Sequence, residues 1–104
     1  EKGMKKILIS IVLLSGYLVA ANHIIDQKGK TFIPHDITVS VGDTITFKNS
    51  DTFAHNAYTD DEGNEFDIGM QKPGNDISVP VKTPGKFNIE CAIHPNMLLE
   101  VDAK

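Results

Sequence analysis

From residue 22 onward the chain is written almost wholly in period two. Ile37, Val39 and Val41 alternate with Thr38 and Ser40, and beyond Gly42-Asp43 the pattern resumes with Ile45, Phe47 and Asn49. Successive side chains of a strand point to opposite faces, so each run has one face fit for a core and one fit for water. Phe53, His55 and Ala57 alternate up to Tyr58, and Ile77, Val79 and Val81 form a further run closed by the turn signal Thr83-Pro84-Gly85-Lys86. Phe87, Ile89 and Cys91 then share one face, with Asn88 and Glu90 opposite, and Met97, Leu99 and Val101 share the last. The polar stretch from Thr59 to Asn75, with Gly63, Gly69, Pro73 and Gly74, reads mainly as loop. There is no amphipathic helix of useful length beyond the first two dozen residues, no repeat and no low-complexity segment. Six or seven short strands with turns at regular spacing predict an all-β fold, an antiparallel β-sandwich.

The first 21 residues follow other rules. Lys2, Lys5 and Lys6 precede an apolar run from Ile7 to Val19, which ends in Val19-Ala20-Ala21. A basic start, a short apolar middle and small residues at the end predict a helical secretory signal over residues 1–21, removed from a domain over residues 22–104. Glu1-Lys2-Gly3 ahead of Met4 has the look of a tag or of upstream translated sequence. The apolar run falls short of the roughly 20 residues a spanning helix needs, so a membrane tether is expected only if the leader stays on. The protein is accordingly expected to be exported, to the periplasm or another extracytoplasmic compartment.

Without residues 1–21 the domain carries seven lysines and thirteen acids, a net charge of −6. That balance argues against nucleic acid and favours partners with basic docking faces. A domain of this size has a modest core and often needs a staple. Its one cysteine, Cys91, excludes an internal disulfide. A lone thiol in an oxidising compartment is a liability unless a metal holds it.

The window Cys91-Ala92-Ile93-His94-Pro95-Asn96-Met97 places three soft or borderline donors within seven residues. Cys91 is in phase with Phe87 and Ile89, and Met97 with Leu99 and Val101, so both sulfurs should point inward at one end of the sandwich. His94 sits on the connecting loop, where Pro95 restricts it to extended backbone. His55 is the best fourth candidate, ahead of His35 near a strand start and His23 near the start of the domain. Two imidazoles, a thiolate and a thioether match a trigonal copper site with a weak axial methionine. Zinc is disfavoured because methionine is a poor ligand for it. One copper ion cycling between Cu(I) and Cu(II) is the expected cofactor.

With these residues in view, the chain resembles the cupredoxins, the type 1 blue-copper family. The Cys91–Met97 window is similar to the short ligand loop of amicyanin, and His55-Asn56 is similar to the first ligand and its following asparagine in plastocyanin and amicyanin. Phe32-Ile33-Pro34, Ile37-Thr38-Val39 and Val41 through Asn49 resemble the family's N-terminal strands. The resemblance implies an eight-stranded Greek-key sandwich and outer-sphere transfer of single electrons. It also implies that Asn56 hydrogen-bonds the ligand loop, a supporting role shared with Pro95.

Two functions follow. The first is an electron shuttle, not an enzyme, in which electrons pass at the edge of His94 within a small apolar face of Ala54, Ile93 and Pro95. Its partners would be redox proteins of the cytochrome, dehydrogenase or oxidase type, met by a monomer. The alternative is a carrier that hands Cu(I) to an acceptor; such carriers use exposed Met- and His-rich sites, and residues 22–104 contain only Met70 and Met97. The acidic group Asp60, Asp61 and Glu62, with Glu65 and Asp67, is a solvated loop by default and a docking patch in the functional reading.

Overall fold

The computed structural model describes residues 19–104, so the expected signal helix lies outside the described residues. Nine strands follow in order: β1 (Asn22–Lys28), β2 (Thr31–Ile33), β3 (Asp36–Val39), β4 (Thr44–Asn49), β5 (Tyr58–Thr59), β6 (Phe66–Asp67), β7 (Asp76–Pro80), β8 (Gly85–Glu90) and β9 (Leu98–Ala103). They form two sheets, one ordered β2-β1-β4-β7 and the other β3-β9-β8-β5-β6. The all-β sandwich expected from the period-two runs is the fold observed, and no helix occurs among the described residues.

The sheets are mixed rather than purely antiparallel. Strand β1 pairs parallel to β4, and β3 parallel to β9. The chain leaves the first sheet after β2, lays β3 in the second and returns with β4, so β4 arrives beside β1 running the same way. Strand β1 escaped the periodic reading for a chemical reason. Its inward positions are Ile25 and Gln27, and a buried glutamine breaks the apolar alternation. Within the stretch read mainly as loop, Phe66–Asp67 pairs with Tyr58–Thr59 as a two-residue ribbon.

The core lies between the sheets. Phe47 is its centre, edge-on to Phe32 at 6.1 Å between ring centroids and tilted against Phe66 at 6.0 Å. In β8 and β9 the pattern alternates as the sequence implies, with Phe87, Ile89, Leu99 and Val101 buried while Asn88 and Glu100 face water. Each such aliphatic or aromatic side chain contributes about 1.5–3 kcal/mol by leaving water.

Strands β1, β4 and β8 run toward one end of the sandwich, where three connections meet. The β1–β2 hairpin turns on Gly29 and Lys30, with φ of 63° and 59°. Two positive-φ residues are what a two-residue turn needs to match the twist of its strands. The other two connections carry residues 50–57 and 91–97.

Candidate metal centre

The hairpin between β8 and β9 closes its ladder at Glu90 opposite Leu98 and leaves residues 91–97 as its loop. The His94 carbonyl accepts the Met97 amide at 2.9 Å, so His94 to Met97 is a β-turn with Pro95 at its second position. Proline presets φ for that position. The turn returns Met97 to the inward face immediately before β9. Cys91 and Met97 are each 1% exposed and belong to the same buried cluster.

His55 approaches from the loop after β4. The sequence pattern placed it at the end of a strand; the structure gives it a single bridge to Gln71 instead. Its amide donates to the Gln71 carbonyl at 3.0 Å and its carbonyl accepts the Gln71 amide at 2.7 Å. Gln71 is itself fixed, because its Nε2 donates to the carbonyls of Phe47 and Asn75 and its Oε1 accepts from Gln27. This buried amide network holds His55 fully enclosed.

The two imidazoles turn the same atom toward each other, His55 Nδ1 and His94 Nδ1 lying 3.1 Å apart. Cys91 Sγ is 3.9 Å from His94 Nδ1, and the donor atoms of His55, Cys91 and His94 all lie within 4.8 Å of one another. Two of the three pairs have the separations that ligands of one metal ion adopt, and the third, His55 with Cys91, lies within 4.8 Å. Metal–imidazole bonds of about 2.0 Å at a tetrahedral angle separate two nitrogens by about 3.3 Å, and a metal–thiolate bond of about 2.3 Å lets Sγ and Nδ1 share the ion at any separation below about 4.3 Å. The other histidines stand apart. His23 Nε2 is bonded to Asp43 at 2.8 Å, and His35 is exposed.

Burial is the main force pushing the His94 pKa below its ordinary value, aided by His55 and Lys30. This favours the neutral ring, which has a lone pair to offer a cation. Behind His55, Asp51 Oδ2 lies 2.6 Å from Nε2. Burial pushes the Asp51 carboxyl up, but hydrogen bonds from His55 and the amides of Lys30 and Gly29 outweigh it and hold it below the usual range. Asn56 Oδ1 accepts the Ala92 amide at 3.0 Å, while its Nδ2 donates to Asp67 Oδ1 and the Gly69 carbonyl. It therefore joins the ligand loop to the β6–β7 connection.

His94 is half-buried, with its chain neighbours Ile93 and Pro95 exposed at the rim, and Ala54, next to His55 in the chain, is half-buried. Phe53 joins this rim, its ring 5.3 Å from that of His55 and 5.4 Å from that of His94. Lys30 Nζ lies over Phe53 at 5.5 Å. Asp60, Asp61, Glu62, Glu65 and Asp67 are exposed, yet Asp61, Glu65 and Asp67 also accept backbone amides, from Asn88, Gly63 and Gly69. Asp51, Gln27 and Gln71 are the residues that sequence reasoning missed. The spacing of four between Asp51 and His55 was visible, but an aspartate in Asn49-Ser50-Asp51-Thr52 has the look of ordinary turn chemistry.

The profile of copper-binding proteins of the plastocyanin/azurin family matches residues 19–102. Among curated relatives, the chain is 34% identical over 79 residues to the methylamine utilization protein MauL of Methylophilus methylotrophus, covering 73% of this chain and 45% of that one. It is 30% identical over 93 residues to chloroplastic plastocyanin of Oryza sativa subsp. indica, covering 79% and 60%. The chain thus spans roughly half the length of these relatives. Among solved structures, the reduced Cu(I) form of an amicyanin variant superposes with a TM-score of 0.73 at 22% identity, covering 86% of this chain and 87% of that one. A copper-containing nitrite reductase from Thermus scotoductus gives 0.75 at 22% identity, covering 90% of this chain and 25% of the enzyme. Both structures share the fold. With its family profile matched over nearly all described residues and its cysteine sulfur and imidazole nitrogens converging, the chain belongs to the plastocyanin/azurin family of copper-binding proteins.

Proposed function

We propose that this protein is a single-electron carrier that works outside the cytoplasm, with one copper ion held by His55, Cys91, His94 and Met97. The observation that carries the reading is the asymmetry of the donor set. His55 and Cys91 are enclosed, whereas His94 alone reaches the rim. Copper bound there supplies a centre that cycles between Cu(I) and Cu(II). Cys91 and Met97 contribute sulfur donors that suit Cu(I), and the two imidazoles suit both states. The buried amide network and the Asn56 bond to Ala92 keep the donors in one arrangement, which limits the reorganisation that accompanies each electron. His94, ringed by Ala54, Ile93, Pro95 and Phe53, is the exit and entry point, and a small apolar rim of this kind suits brief encounters.

The partners are redox proteins of the cytochrome, dehydrogenase or oxidase type with a basic docking face, met by a monomer. Asp60, Asp61 and Glu62 steer them, and no substrate is transformed. Residues 1–21 act as the export signal ahead of a domain over residues 22–104. The family, its copper-binding description and the likeness to MauL and plastocyanin support this reading. Electron self-exchange, followed by NMR line broadening in mixtures of the Cu(I) and Cu(II) forms, tests it. Fast exchange that slows when Ile93 is replaced by lysine is expected. Undetectable exchange together with ready loss of Cu(I) to a chelator contradicts it.

A further inference from the structure

We infer that Asp51 is a positioning residue of the copper site, fixing the tautomer and direction of the His55 ring and lowering the reduction potential through it. The inference rests on the copper reading above and extends it to a residue outside the donor set. Asp51 Oδ2 accepts from His55 Nε2 at 2.6 Å, and the His55 side chain is wholly enclosed, so water cannot compete for that nitrogen. An ionised carboxylate only accepts hydrogen bonds. Nε2 must therefore carry the proton, and the Nδ1 lone pair is left facing His94 Nδ1.

The carboxylate is itself held from the opposite side. Asp51 Oδ1 accepts the Gly29 amide at 2.7 Å, and Oδ2 also accepts the Lys30 amide at 3.0 Å. Its own amide donates to Asn49 Oδ1 at 3.0 Å. Lys30 is the one non-glycine residue with positive φ among the described residues, a conformation that L-residues avoid. The β1–β2 turn thus presents two amides to the carboxylate that supports the ligand. A metal-binding histidine whose far nitrogen donates to a carboxylate is a stronger base than one bonded to a neutral acceptor. The stronger base favours Cu(II) over Cu(I), and the potential falls.

The test compares the copper-loaded protein with its Asp51→Asn variant. Asparagine keeps an oxygen for the turn amides but removes the charge behind His55. Affinity for Cu(II) is expected to fall by about 10- to 100-fold, with a smaller loss for Cu(I). Each tenfold change in the ratio of the two affinities raises the midpoint potential by about 59 mV in a one-electron couple. Asp51→Glu, which restores the charge, should recover part of the shift. A folded Asp51→Asn protein with the parent's potential overturns the inference. If that variant does not fold, the apo form of the parent decides through the 15N shifts of His55: the Nε2–H tautomer supports the inference and the Nδ1–H tautomer overturns it. A parent protein that never forms a thiolate–copper bond would instead show that the copper reading itself had failed.

Discussion

Replacing Gln71 by alanine should cost this domain a large share of its stability although the Gln71 side chain hydrogen-bonds to no expected ligand. Gln71 is fully buried; its Nε2 donates to the Phe47 carbonyl at 2.8 Å and to the Asn75 carbonyl, and its Oε1 accepts from fully buried Gln27. Truncation strips one partner each from the Phe47 carbonyl and Gln27 Nε2, both enclosed. Gln27 Nε2 retains the Lys48 carbonyl at 3.0 Å, whereas Gln27 Oε1 already has no partner among the described residues. Leaving a buried polar group unpaired costs about 1–3 kcal/mol, so two groups, one partly compensated, give a loss of about 3 kcal/mol. Against the roughly 5–15 kcal/mol of a typical domain this is severe, and it lowers the melting temperature by about 12–24 °C for a chain of this length. The assay is urea unfolding of the apo-protein followed by far-ultraviolet circular dichroism, because the sequence has no tryptophan. The transition midpoint should fall at constant slope. A loss below about 1 kcal/mol would refute the claim that this network holds the His55 loop.

Three further outcomes are expected. Leu99→Ala, at a fully buried position in β9, should cost about 2–5 kcal/mol, whereas Leu98→Ala on the outer face should cost less than about 0.5 kcal/mol; equal effects in chemical denaturation would contradict the register of β9. Asn56→Ala frees the Ala92 amide, and hydrogen exchange at that amide should rise at least tenfold (about 1.4 kcal/mol of opening energy) while exchange in the middle of β1 stays unchanged. Asp43 accepts from the amide of Ala21, from His23 and from the amide of Ser40, which together lower its pKa to about 2. Its folded-state value is depressed, so the stability it contributes is fully present above the ordinary value of 3.8 and is lost as pH falls through about 2. Acid titration of stability should show a gap between the parent and Asp43→Asn that closes over that window, and a gap of constant size would contradict the assignment.

Much of the site was legible because its logic is local. Cys91, His94 and Met97 lie in one hairpin, and the period-two rule alone sends Cys91 and Met97 inward beside Ile89 and Leu99. What stayed hidden depends on contacts distant in sequence. Gln27 meets Gln71 across 44 positions, and a buried glutamine carries no periodic signature. Asp51 is bound to the Gly29-Lys30 turn only once β1 and β4 lie parallel, and that pairing depends on the β3 excursion between sheets rather than on any propensity. Residues 53–58 show why alternation overstates strands: the Phe53, His55 and Ala57 pattern is real, but only Tyr58–Thr59 finds a ladder, and His55 is held by one bridge and an amide network instead.

Whether the Cys91 thiolate and two imidazoles share one copper ion is tested most directly by the absorption spectrum on titrating apo-protein with Cu(II). One equivalent should produce an intense visible thiolate-to-copper band that saturates at one ion per chain and is lost in Cys91→Ser. A weak band of ordinary aqueous Cu(II), unchanged by Cys91→Ser, would contradict it.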